Sequence, residues 1–217
     1  MSATTLATLR DRVELMLADS GNSIFAAGDV DEAIRRALHT YSLANPLHKI
    51  TTLTLAADGR ELSTAAITDA IGIDALWCPY TASDPEYPAH GRAFRFWKDA
   101  SLIYILGQYQ PKAGDVARVF YSALHTIDDL DSASVTSVPP EHDSILVGGA
   151  AGQAAMTRAL DLAEQVTVDR DAVDRLTKWA HMERVTFGAE LTSIAITCQT
   201  TGHVPMPALD RWDDAWA

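Results

Sequence analysis

Seven histidines, His39, His48, His90, His125, His142, His181 and His203, are the side chains best suited to acid–base or metal chemistry near neutral pH. No two stand at the i, i+4 or H-x-H spacing that presents adjacent imidazoles to a metal. Asp129-Leu130-Asp131 has the start of a calcium loop but lacks the glycine at the sixth position and the glutamate at the twelfth. Gly148-Gly149-Ala150-Ala151-Gly152 is not spaced as a dinucleotide fingerprint, and no strand leads into it. Neither a phosphate-cradling G-x-x-x-x-G-K-[ST] nor a G-x-S-x-G nucleophile elbow occurs. Cys78 and Cys198 lie far apart, outside any C-x-x-C pair, and read as free thiols in a reducing compartment. The chemistry-bearing residues therefore predict no catalytic set, no cofactor and no metal, and a protein that is not an enzyme.

The composition points toward surfaces. The 217 residues hold 29 acidic against 17 basic side chains, a net charge of −12. Such a chain is a poor gripper of nucleic acid, which needs clustered Lys and Arg to displace phosphate counterions. Arg35-Arg36 and Arg10 with Arg12 read as solvated helix faces. No charged leader followed by an apolar run opens the chain, and no stretch approaches 18 uninterrupted apolar residues, so a cytoplasmic product with no membrane partner is expected.

Two helices open the sequence. Leu6, Leu9, Val13 and Met16 share one helical stripe, and Gly21-Asn22 breaks it. Asp29 with Glu32 supplies an Asp-x-x-Glu start, followed by Val30, Ile34, Ala37, Leu38 and Tyr41, until Pro46 stops the helix. The period then becomes two. Ile50 to Ala56 alternates Thr with Leu, and Asp58-Gly59 promises a hairpin into a short strand at Glu61-Leu62-Ser63. Ile71, Ile73, Ala75 and Trp77 alternate as a further strand. Phe94 to Trp97 and Leu102 to Leu106 flank a second turn. Pro111 to Asp115 makes a third, feeding a strand from Val116 to Tyr121.

Residues 126–138 are an acidic Ser/Thr-rich connector, too polar on this reading to enter a core. Pro139-Pro140-Glu141 opens a long helix running to about Gln165. Its centre, from Gly148 to Ala155, is unusually small. Each interior glycine costs about 1 kcal/mol relative to alanine, so close approach of another helix is the expected reason. A last helix, Arg170 to Ile196, places Val173, Leu176, Trp179, Ala180 and Val185 at helical spacing.

The fold class expected is α+β, mainly α: a helical bundle from residues 1–48 and 139–198, with an inserted antiparallel β meander at 49–125. The connector spans 126–138, and 199–217 form a tail suited to docking a partner. Trp212 and Trp216 stand four apart there and would share a helical face. The interface candidates are these two tryptophans, Tyr80 and Tyr87 in the proline-rich loop 79–91, Asp128, Asp129 and Asp131 in the connector, and Gly148 and Gly152 in the small-residue helix.

With these elements in order, the chain resembles the head–tail adaptor (connector, head-completion) proteins of tailed bacteriophages. The likeness is carried by Asp31-Glu32-Ala33-Ile34-Arg35-Arg36-Ala37-Leu38, by Thr51 to Leu55, and by the turn Pro111 to Asp115. Val116 to Leu124, Asp128 to Asp131, Pro139-Pro140-Glu141-His142 and the helix Gly148 to Ala155 complete it. It covers most of residues 4–195. It implies a structural virion protein forming a homo-oligomeric ring beneath the portal, of twelve copies to match it. Such a ring extends the DNA channel, docks tail or nozzle proteins, and is assembled in the bacterial cytoplasm. Double-stranded DNA would pass an acidic wall without being bound, and the tail segment would contact the portal protein. Two other classes stay open: a non-enzymatic protein-binding module, and a small hydrolase-type enzyme assembled from scattered residues.

Overall fold

The computed structural model describes residues 4–19, 21, 23–83, 91–163 and 170–201, with side chains as far as 196. The fold is α+β and mainly α; along the sequence, two helices are followed by the strands of an antiparallel β unit and then by two more helices. The chain divides into two compact units. One takes Met1–Pro46 with His125–Thr201, and the other includes Leu47–Leu124.

In the helical unit, α1 (Leu6–Met16) and α2 (Ala27–Ala44) pack with α3 (Asp143–Ala163) and α4 (Arg170–Thr201). The helix α3 touches all three others, so it is buried on more than one side. Its small residues follow from that position: Ala150, Ala151, Ala154, Ala155 and Ala159 are all buried. Leu146, Leu9, Val13, Val30, Ile34 and Tyr41 fill the core around it.

Two helix starts differ from the sequence expectation. Ala26, not Asp29, is the N-cap of α2, which places Asp29 inside the first turn. Among the described residues no side chain caps α2, and the turn leading into it is held by Asp19. Asp19 accepts the amides of Ser23, Ile24 and Phe25 at 2.8–3.0 Å and the Ser23 hydroxyl at 2.7 Å. Those four donors hold its carboxyl well below the usual carboxylate range. The proline-led start after the connector is a single 3-10 turn, Pro140–His142, before α3 proper.

The connector is not a free polar loop. Ile127, Leu130 and Val138 are buried in the helical core, because apolar residues punctuate its acidic ones. Its backbone is pinned as well: the Leu6 amide donates to the Asp128 carbonyl at 3.1 Å. Tyr41, fully buried, accepts a hydrogen bond from Asn45 Nδ2 at 2.7 Å and meets His142 Nδ1 at 2.6 Å. The His125 amide donates to Ser42 Oγ, which ties the start of the connector to α2.

Among the described residues the β unit has six strands in two three-stranded antiparallel sheets. The strands β1 (Leu47–Thr54), β6 (Val116–Ala123) and β3 (Ala70–Trp77) form one, in the order β1-β6-β3. The strands β2 (Glu61–Ser63), β5 (Leu102–Ile105) and β4 (Phe94–Trp97) form the other, in the order β2-β5-β4. Strand positions match the sequence expectation, but two of the three expected hairpins do not form. Asp58-Gly59 joins β1 to β2, and Pro111–Asp115 joins β5 to β6; in both cases the strands belong to different sheets. The two turns bind each other instead. The Ala113 amide donates to Asp58 Oδ1 at 2.7 Å, and the Gly59 amide donates to the Pro111 carbonyl. Gly59, with φ of 140°, is needed there for a conformation few other residues adopt.

Leu62, Leu76, Ile103, Ile105, Ala117 and Val119 fill the core of this unit. Two register shifts in β3 turn its expected alternation around, so Leu76 is buried while Trp77 lies on the other face.

Candidate functional site

Tyr80 is built into a cluster on the face of β3 and β6 that carries Trp77. The Trp77 and Phe120 rings lie 4.6 Å apart, and the Arg118 guanidinium sits 5.0 Å from the Tyr80 ring while donating to its hydroxyl at 2.8 Å. Tyr80 is thus held by its own chain rather than projecting freely from the loop. Tyr87, Trp212 and Trp216 lie outside the described residues.

The acidic triad is divided by the fold. Asp131 is clamped by Arg35, whose Nε and Nη2 donate to its carboxylate at 2.7–3.1 Å. That guanidinium draws the Asp131 carboxyl below its ordinary range, and Glu32 is lowered in the same way by Arg35 and Arg36. Asp128 is half-buried and serves through its backbone, whereas the Asp129 side chain is exposed. Asp129, Asp131 and Ser132 all have positive φ, so this acidic turn is tightly folded. The arginines read as solvated are engaged too: Arg10 pairs with Asp31 at 2.8 Å and Arg12 with Asp143 at 3.2 Å.

Gly148 and Gly152 face α4 of the same chain. A Cβ on Gly152 would stand 2.9 Å from Glu183 Cβ and 3.3 Å from the Ala180 carbonyl oxygen. At Gly148 the nearest atom would be Glu183 Oε2 at 3.7 Å, an ordinary contact. The tightest position is Gly149, against the Phe187 ring. Gly149 and Gly152 of α3 therefore give room for the close approach of α4 of the same chain.

Sequence reasoning missed the outer face of α4. Its inward stripe is Leu176, Ala180, Glu183, Phe187, Leu191 and Ile194. Met182, Val185, Ala189, Thr192 and Ile196 recur at three- and four-residue spacing on the opposite side. Met182 is 66% exposed, Val185 58% and Ile196 57%. Val185, grouped from the sequence with Leu176 and Ala180, belongs to this outer face. The signal was legible as a second heptad-like stripe displaced from the first. Gly188 lies beside it, and a Cβ there would meet nothing within 4 Å among the described residues.

The helical unit also carries an apolar groove of about 400 Å³, lined by Met16, Phe25, Leu162, Leu176 and Trp179 with Arg158 among them. Arg158 Nε is buried and has no hydrogen-bond partner among the described residues. In the β unit, Cys78 is fully buried, and burial followed by the Asp115 charge pushes its thiol upward, away from thiolate. Among the described residues no group of His, Cys, Asp or Glu could hold a metal ion, and no helix is long and apolar enough to cross a membrane.

No protein-family model matches the chain, and a search of characterised proteins finds no match.

Proposed function

We propose that this chain is a structural virion protein of a tailed bacteriophage, a head-to-tail adaptor that assembles as a ring beneath the portal. The observation that carries the reading is the second apolar face of α4. A helix of 32 residues with apolar residues on its inner and outer sides has one face for its own core and one left over. In a chain of net charge −12, the uncharged stripe Val185, Ala189, Thr192 and Ile196 lets like-charged copies approach.

On this reading α4 forms the contact between copies in the ring wall, twelve to match the portal. The acidic surface, including exposed Asp129, repels the phosphate backbone so that double-stranded DNA slides through the channel without being held. Tail or nozzle proteins dock on the far side of the ring, and the particle-bound location is the neck of the virion.

The test is electron microscopy of the full chain alone and mixed with the portal protein of the same phage genome. Rings stacked on the portal are the expected result. A monomer that ignores the portal at all concentrations would overturn the reading and leave a protein-binding module as the better account.

A further inference from the structure

The groove at the N-terminal end of α4 has an unusual combination of walls. Met16, Phe25, Leu162, Leu176 and Trp179 make it apolar, yet Arg158 stands among them with its Nε buried and unpartnered. A buried guanidinium donor left unsatisfied keeps the full penalty of its lost hydration. An occupant that removes this cost must bring an acceptor, best a carboxylate, together with apolar surface. A volume of about 400 Å³ is within the range of pockets that take sizeable groups.

The chain itself contains a segment of that chemistry. Asp210-Arg211-Trp212-Asp213-Asp214-Ala215-Trp216 offers two indoles interleaved with three carboxylates. A carboxylate from Asp213 or Asp214 can take the Arg158 guanidinium in a charge-assisted pair. An indole then fills the apolar part, where the same cation favours an aromatic face.

We infer that the groove receives Trp212, with Asp213 or Asp214 beside it, from a second copy of this chain. The reach argues for a second copy. Leu176 lies 25 residues before Thr201 on α4, about 38 Å along the helix at 1.5 Å per residue. The 11 residues from 202 to 212 span about 36 Å when fully extended. Trp212, the indole adjoining Asp213 and Asp214, therefore has no length left to reverse the chain direction and enter its own groove, whereas a neighbouring copy imposes no such demand. Each copy then gives a segment and receives one, a head-to-tail contact of the kind that closes rings. This inference rests on the reading of the chain as a self-assembling subunit and replaces the portal with a sister copy as the destination of Trp212.

The experiment uses two full-length, differently tagged chains, both carrying Cys198→Ser. One carries Ala172→Cys at the exposed rim of the groove, the other Ala217→Cys beside Trp216. Mixing them under mild oxidation is expected to give the mixed disulfide in high yield. Arg158→Glu in the first chain is expected to cut that yield at least tenfold, and Asp213→Arg with Asp214→Arg in the second to restore it. Circular dichroism of each variant confirms that it is folded. A disulfide that forms only when both cysteines are on one chain would overturn the exchange between copies. No disulfide in either arrangement would overturn the groove as the destination. Rings without the mixed disulfide sink this inference alone, and the mixed disulfide without rings sinks the adaptor reading alone.

Discussion

Phe187 on α4 lies so close to Gly149 on α3 that a Cβ on the glycine would stand 2.8 Å from two of its ring carbons. The helix pair is built around this approach, and its glycines are not equivalent. Gly149 and Gly152 have no space for a side chain, whereas Gly148 has an ordinary contact and Gly188 has open surroundings.

Gly152→Leu is therefore expected to lose about 1–3 kcal/mol or more through overpacking against Glu183 and the Ala180 carbonyl. Gly148→Ala should instead gain about 0.5–1 kcal/mol from helix propensity. Thermal unfolding of the two variants checks both signs. Equal melting temperatures for the two would contradict the differential contact.

On the outer face of α4, Val185→Glu with Ala189→Glu should leave the isolated chain folded, within about 0.5 kcal/mol of the parent, because both positions are exposed. Self-assembly should be abolished, as judged by native mass spectrometry. Assemblies that persist with two buried glutamates per contact would assign the interface elsewhere.

Acid should destabilise the helical unit. The Asp19 carboxyl is held low by its four donors, and Glu32 and Asp131 by their arginines. In the unfolded chain these groups take up protons near ordinary values, roughly 4, while the folded chain resists protonation until lower pH. Their stabilisation is complete above about pH 5 and falls as pH drops through the depressed folded values. Urea midpoints measured from pH 7 to pH 2.5 should decline accordingly, and Asp19→Asn should both lower the neutral midpoint and flatten the decline. An unchanged slope in that variant would remove Asp19 from the account.

Ile127→Ala tests whether the connector is core. Ile127 is fully buried, so the truncation should cost about 2–5 kcal/mol. A surface loop would tolerate it with almost no change in melting temperature.

Much of the secondary structure was legible in the sequence because it depends on local periodicity and punctuation. The stripe Leu6, Leu9 and Val13, the alternation before Asp58-Gly59, and the small centre of α3 each mark an element whose type near neighbours decide. The strand pairing was not legible. Asp58-Gly59 and Pro111–Asp115 carry turn chemistry that any hairpin would use, and only the packing of two sheets sends their strands to different partners.

Among the candidate interface residues the division is similar. Composition alone marked Gly148 to Gly152 as a place of close approach, since interior glycines need a reason. Which helix approaches, and that it belongs to the same chain, was decided by the position of Phe187 and Glu183 on α4. The acidity of Asp128 to Asp131 is a property of the sequence, but Arg35 lies 96 positions from Asp131, and folding alone pairs them. The outer stripe of α4 was written at regular spacing from Met182 to Ile196. It became a surface rather than a core only when the tertiary structure buried the opposite side of the helix, because burying one face of a straight helix against a neighbour leaves the other in water.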